Sequence, residues 1–259
     1  MLTTYVVLGA SVLMFISELV ATRQEWTRVE GWWQRAIALN AFGFLTVFIT
    51  GSALRGALSS HRLFRGERLG VVGGAVVGYL VMSFVNYWWH RLRHRSPFFW
   101  RWFHQLHHSA QRIELATTFY KHPIESIVDT LGAMVILYGV VGVSPAAAAG
   151  AMMMAGLLEL FFHWNVKTPA WVGYIIQRPE AHCVHHEAGI HAYNYSDISL
   201  WDILFGTFKN PETWDGVCGL GYENELRLGE MLRGVDVTET PPEPPMTPPL
   251  RPLPQRVAA

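Results

Sequence analysis

The sequence predicts an all-α integral membrane protein, with four to five transmembrane helices beneath a cytosolic helical cap rich in histidine. Three observations carry that reading. Hydrophobic residues make up 51% of the 259-residue chain and charged residues only 15%, against roughly 25% charged in an average soluble domain. The mean hydropathy is positive, at +0.19. The apolar residues fall into runs close to the roughly 20 residues that cross hydrocarbon, and 12 histidines lie mostly between and beside those runs.

The runs come in order. Leu2–Val20 is apolar except for Glu18. It lacks a basic leader and a small-residue cleavage site, so it reads as a retained helix rather than a signal peptide. Ala36–Leu54 is the second run and Leu69–Trp89 the third. Ile127–Val143 and Ala146–Phe162 are the fourth and fifth, and Gly142-Val143-Ser144-Pro145 between them predicts a hairpin. Asp129 interrupts the fourth, which is expected to be short or to start late. Trp32, Trp33, Trp88 and Trp89 sit at run ends, as in an interfacial belt. Ala170–Gln177 is expected to form a short helix in the interface. Thr240–Pro254 is proline-rich and is expected to lack a packed core. The division that follows is an N-terminal membrane part over 1–68, a histidine-bearing part over 69–211, and a C-terminal region over 212–259.

Charge sets further bounds. The formal net charge is zero, so no global field attracts nucleic acid. Two cysteines, Cys183 and Cys218, make no disulfide framework and suit a reducing compartment. Arg91, Arg93, Arg95, Arg101 and Arg112 form a basic block, which places that side in the cytoplasm. Arg23, Arg28 and Arg35 fall on the same side. Arg55, Arg62, Arg65 and Arg68 would fall on the opposite side and oppose the rule.

Four histidine elements stand out: His90 and His94 as H-x3-H; His104, His107 and His108 as H-x2-H-H; His163 alone; and His182, His185 and His186 as a second H-x2-H-H. Residues i, i+3 and i+4 share a helix face, so each box is expected to turn its imidazoles to one side. The first box continues from the third apolar run, and the last follows the fifth run after a short stretch. All four elements can therefore meet at one end of a bundle. Nine histidines exceed the ligand number of one ion, so two ions fit, and imidazole alone does not choose among iron, zinc, copper and nickel. Taken singly, any of these histidines reads as an ordinary surface or core residue, and His163 is the most isolated. Glu159, one turn before it, is a candidate carboxylate ligand or an acceptor that orients an imidazole. The plainer alternative is an ion pair.

At this point the chain resembles the fatty acid hydroxylase / sterol desaturase superfamily. The resemblance rests on the order of the three boxes and on Tyr120-Lys-His122-Pro123-Ile-Glu125, His163-Trp-Asn165, Asn194-Tyr195 and Trp201-Asp202-Ile-Leu-Phe205-Gly206-Thr207-Phe208. It covers roughly residues 70 to 211. It implies a non-haem di-iron centre on the cytosolic side, dioxygen as co-substrate, a lipid substrate and two electrons from outside. It assigns ligation to His90, His94, His104, His107, His108, His163, His182, His185 and His186. His122 and His191 are candidates for ligation or for the surrounding shell, and His122 reads equally as a loop anchor. Asp202 is a candidate partner of a ligand N–H, or a helix cap. No His-Pro-Gly-Gly element of a fused cytochrome b5 module is present, so a separate ferredoxin or b5-like donor is expected. The arginines of 91–112 are candidates for docking it.

Two other classes compete. A histidine-rich metal transporter would place its ligands near the bilayer midplane within repeats, and no repeat is evident here. A zinc-dependent membrane hydrolase would need one three-ligand site. Within the leading class the residues do not separate hydroxylation from desaturation. Hydroxylation is favoured as the common first step in the superfamily. The lipid itself is left open.

Overall fold

The structure, a computed structural model, describes residues 2–59 and 61–241, with side chains described for 9–50, 58 and 61–241. Every named element in that range is helical. The chain forms α1 (Leu2–Val20), α2 (Trp32–Ser59) and α3 (Gly70–Arg95). A broken stretch follows: α4 (Pro97–Phe99), a π-helical turn over Trp100–His104, and α5 (Gln105–Ser109). Then come α6 (Pro123–Met134), continued by a π-helical turn over Val135–Val141, and α7 (Pro145–His163). Short helices close the chain: α8 (Pro179–His185), α9 (Ser199–Leu204), α10 (Tyr222–Glu225) and α11 (Leu228–Met231).

Among the described residues three helices are long and apolar enough to cross a membrane: Gly66–Arg95, Pro123–Val141 and Pro145–His163. They correspond to the third, fourth and fifth apolar runs. Gly9–Val20 is a shorter apolar helix. Outer faces stay apolar, with Leu13, Phe48 and Val72 exposed, as suits lipid contact rather than water. Asp129 does not delay α6, which starts at Pro123. Its carboxylate accepts from Trp89 Nε1 at 2.9 Å and faces Arg93 Nη1 at 3.4 Å. A charge within an apolar helix is tolerable when partnered in this way.

The predicted hairpin is present and its chemistry is visible. Gly142 adopts φ 69°, and a Cβ there would lie 2.1 Å from the Phe64 carbonyl oxygen. Ser144 Oγ accepts the Ala147 N–H at 3.3 Å, and Pro145 occupies the first turn of α7, where its missing N–H costs nothing. α7 then returns along α3, its main partner. Small residues allow the approach: a Cβ on Gly150 would sit 2.9 Å from Ala75 Cβ, and one on Gly74 would sit 3.0 Å from Ala147 Cβ. α1 packs on α7, and α2 on α6.

A second core lies at the histidine end. It joins Trp32, Ala36 and Leu39 of α2 to Leu106 of α5, Tyr120, and Met231 and Val237. Early, middle and late parts of the chain are therefore tied to one another around α5. The stretch expected to lie in the interface forms a 3-10 helix over Ala170–Tyr174 and leaves Trp171 and Tyr174 exposed. The proline-rich stretch predicted over 240–254 lies, from residue 242 onward, outside the described residues. The α3–α7 contact yields a stability prediction. Gly150→Leu must force the two helices apart and is expected to cost about 1–3 kcal/mol, whereas Gly156→Leu, whose Cβ meets nothing within 4 Å, is expected to be neutral. Thermal unfolding of the two variants in the same detergent checks the difference.

Candidate metal centre

Four helix ends deliver the nine histidines. His90 and His94 lie on the last turns of α3, His163 ends α7, and His182 and His185 lie on α8 with His186 just after it. His104 closes the π-helical turn that leads into α5, which bears His107 and His108. These side chains gather into two groups. One holds His90, His94, His104, His108 and His185; the other holds His107, His163, His182 and His186. Within each group the potential ligand atoms lie within 4.8 Å of one another. His90 and His94 are half-buried and the other seven are buried.

His90 and His94 turn to one side, as their spacing predicts, but the two longer boxes do not. Each H-x2-H-H element serves both groups. His104 and His108 enter the five-histidine group while His107 enters the other; His182 and His186 enter the four-histidine group while His185 crosses to the first. Positions i+3 and i+4 of a helix differ by about 100° in direction, enough to send neighbours into adjacent clusters. The two groups thus interlock, with the His108 and His186 rings stacked at 4.1 Å.

The outer hydrogen bonds fix how several rings are protonated. His90 Nδ1 lies 2.7 Å from the Tyr195 carbonyl, His185 Nδ1 2.7 Å from the Tyr193 carbonyl, and His163 Nδ1 2.8 Å from the Glu159 carbonyl. His104 Nδ1 lies 2.9 Å from Glu125 Oε1. A carbonyl or carboxylate only accepts, so each of these Nδ1 atoms must donate. In a neutral ring the inward Nε2 is then a bare lone pair. Yet Nε2 of His90 and of His104 are 2.8 Å apart, Nε2 of His108 and of His185 3.1 Å, and Nε2 of His182 and of His163 3.1 Å. At His90 and His104, where both outer nitrogens donate, the facing lone pairs repel unless a cation binds them. His94 Nε2 and His107 Nδ1 are buried with no hydrogen-bond partner among the described residues. The donor set therefore fits metal ions, and its all-imidazole composition suits iron among others.

Burial keeps the rings neutral. Desolvation is the largest cause driving His104, His107, His108, His182 and His186 well below the usual histidine range; neighbouring imidazoles add to it at all five, Arg93 at His104 and His107, and Lys121 at His107 and His182. His185 is lowered to about 3 and His191 to about 4, again chiefly by desolvation.

The remaining sequence candidates take other positions. His122 lies in neither group; its Nδ1 accepts the Ile124 N–H at 3.1 Å and so caps α6. The Glu159 carboxylate pairs with Lys121, while its backbone carbonyl faces His163. His191 Nδ1 lies 3.0 Å from His108 Nδ1. The Asp202 carboxylate accepts the N–H groups of Tyr195 and Ser196 at 2.8 and 2.9 Å and the Thr207 hydroxyl at 2.7 Å, bracing the loop rather than touching a ring. Sequence reasoning missed Glu125, which is fully buried, orients His104 and pairs with Arg93. Its place in the His-Pro-x-Glu element was the available signal. The carbonyls of Tyr193 and Tyr195 carried none, because any residue supplies a carbonyl.

Fold and site together define a helical, largely apolar protein built around a buried double polyhistidine centre. The fatty acid hydroxylase family model matches residues 75–207, a range that holds all nine histidines, and the chain belongs to that family. Its relatives include ornithine lipid hydroxylase OlsE of Rhizobium tropici, 29% identical over 60% of this chain and 47% of that protein. The very-long-chain aldehyde decarbonylase GL1-9 of Oryza sativa is 31% identical over 51% of this chain and 53% of its own length. Sphinganine C4-monooxygenase 1 of Arabidopsis thaliana is 25% identical over the same two shares. The chain thus spans about half the length of the curated relatives it matches. No solved structure matches it significantly.

Two outcomes are expected. Glu125→Ala removes the acceptor that orients His104 and is expected to weaken metal retention about 10- to 100-fold, with Glu125→Gln milder because its side-chain carbonyl still accepts; metal content after graded chelation measures both. The metal-free protein is expected to lose stability in acid. His185 and His191 titrate at about 3 and 4 when folded, against 6.5 when free, so between those values the unfolded chain binds more protons. Stability then rises with pH up to about 6.5 and falls below it, which denaturation midpoints at a series of pH values will show.

Proposed function

We propose that this protein is a dioxygen-dependent, non-haem di-iron monooxygenase that hydroxylates a C–H bond of a membrane lipid. One observation carries the reading: two adjacent all-histidine groups, seven of their nine rings buried, whose inward Nε2 atoms approach one another to 2.8–3.1 Å. His90, His94, His104, His108 and His185 would hold one iron, and His107, His163, His182 and His186 the other. When bound, the irons supply reductive activation of dioxygen. A single three-ligand zinc site has no use for a second four-histidine group.

The chain's own residues do the rest. Neutral imidazoles bind ferrous ions without cancelling their charge. The carbonyls of Tyr193, Tyr195 and Glu159 and the carboxylate of Glu125 hold four rings with Nε2 inward. Burial of seven of the nine rings keeps bulk water from the reacting region. The apolar faces of α3, α6 and α7 offer lipid a route from the membrane to the histidine end. We place α1 and α2 in the membrane beside them, which makes the protein multi-pass, with the histidine centre on the cytoplasmic side beside the Arg91–Arg112 block. Residues 69–211 would form the catalytic part, and an external ferredoxin or b5-like protein would supply the electrons.

Hydroxylation is favoured over desaturation because relatives named as a lipid hydroxylase and a sphinganine monooxygenase are similar to this chain over 60% and 51% of its length; the aldehyde decarbonylase shows that other outcomes occur on a similar chain. The test is direct. The iron-loaded protein with a reductase system, oxygen-18 gas and a panel of amino, ether, sphingoid and sterol lipids is expected to place one oxygen-18 atom in one lipid class, as read by mass spectrometry. Reductant-dependent oxygen consumption with no labelled lipid in any class would contradict the proposal.

A further inference from the structure

The two histidine groups are not supported equally. In the five-histidine group the outward nitrogens of His90, His104, His108 and His185 all meet protein partners at 2.7–3.0 Å. In the four-histidine group His163 has such a partner, the Glu159 carbonyl, but Nδ1 of His182 and of His186 are buried with none among the described residues. Partners in this outer layer set ring orientation and ligand basicity, so the two groups should differ in grip.

Three of those four partners come from one loop, the fourth being Glu125 on α6. His191, Tyr193 and Asn194 have φ of 41°, 67° and 47°, a left-handed region that residues other than glycine seldom adopt. This loop aims the Tyr193 carbonyl at His185 and the Tyr195 carbonyl at His90, and brings the His191 ring to His108. Asn194 at its centre is buried and fully engaged. Its side-chain amide donates to the carbonyls of Ala181 and Lys209 at 2.8 Å, and its Oδ1 accepts the Lys209 N–H at 2.8 Å. Its backbone N–H donates to the Thr207 carbonyl at 2.9 Å, and its backbone carbonyl accepts Gln177 Nε2 at 2.8 Å. None of these bonds reaches a histidine ring, so Asn194 acts through the loop.

We propose that Asn194 is a positioning residue: by clamping the left-handed loop it holds the Tyr193 and Tyr195 carbonyls on His185 and His90, so that the five-histidine group keeps its metal more tightly than the four-histidine group. The inference rests on the di-iron reading above. It concerns how unequally the two ions are held.

Release of iron to a ferrous chelator, from full-length protein loaded anaerobically with ferrous iron, tests it without turnover. The wild type is expected to release iron in two phases, and His163→Ala to abolish the fast one. Asn194→Gly permits the left-handed backbone but lacks the anchoring amide. It is expected to speed the slow phase about 10- to 100-fold and to leave the fast phase unchanged. A single phase in the wild type, a slow phase unaltered by Asn194→Gly, or equal acceleration of both phases would overturn the inference. If Asn194→Gly does not fold, Gln177→Ala, which removes only the bond to the Asn194 carbonyl, is expected to give the same selective effect in smaller degree; no effect counts against the proposal. Fewer than two irons in the wild type would show that the di-iron reading had failed first, and the inference with it.

Discussion

One constraint organises the site: inward imidazole nitrogens crowd to less than about 3.2 Å from one another, and where both outer nitrogens donate, as at His90 and His104, the facing lone pairs repel unless a cation binds them. Protonating the rings cannot supply that cation cheaply, because burial strongly disfavours the charged form. The carbonyls and the carboxylate behind His90, His104, His163 and His185 fix those four outer nitrogens as donors, which leaves the inner ones as ligands. The site is therefore costly to assemble without metal and stable with it, so metal binding and folding should be coupled.

The scaffold bears that cost in several places. Three non-glycine residues sit in the left-handed region beside the five-histidine group, at on the order of 1–3 kcal/mol each. Beneath the two groups, Arg93, Glu125, Asp129, Lys121 and Glu159 form a chain of ion pairs between α3, α6 and α7. Charges so deep in an apolar bundle are tolerable only when paired. This chain reaches both groups, through Glu125 at His104 and through the Glu159 backbone at His163. The close α3–α7 contact at Gly74, Ala75, Ala147 and Gly150 then sets where two of the four histidine-bearing helix ends arrive.

Much of this was legible in the sequence, for identifiable reasons. Apolar runs of membrane length leave an unmistakable record, so α3, α6 and α7 were foreseen; Asp129 seemed to break α6 only because its partners Trp89 and Arg93 lie on another helix. Histidine spacing also survives in one dimension: the eight histidines of the three boxes lie among the nine that the fold gathers, and His163, which no spacing marks and only the family resemblance singles out, is the ninth. How the boxes divide between two groups could not be read, since it depends on the π-helical turn over Trp100–His104 and on where α8 lands. Glu125 was visible as a motif member but not as the partner of His104. Asp202 was open between helix cap and ring partner, and it proves to brace the Tyr195–Thr207 loop.

Metal analysis with Mössbauer spectroscopy, on protein purified anaerobically from cells supplied with iron-57, tests the central claim most directly. The account predicts about two irons per chain, in high-spin ferrous sites whose spectra change on exposure to dioxygen. One metal per chain, or zinc that iron cannot replace with activity, would contradict it and leave the opposed imidazoles to be explained by some other cation.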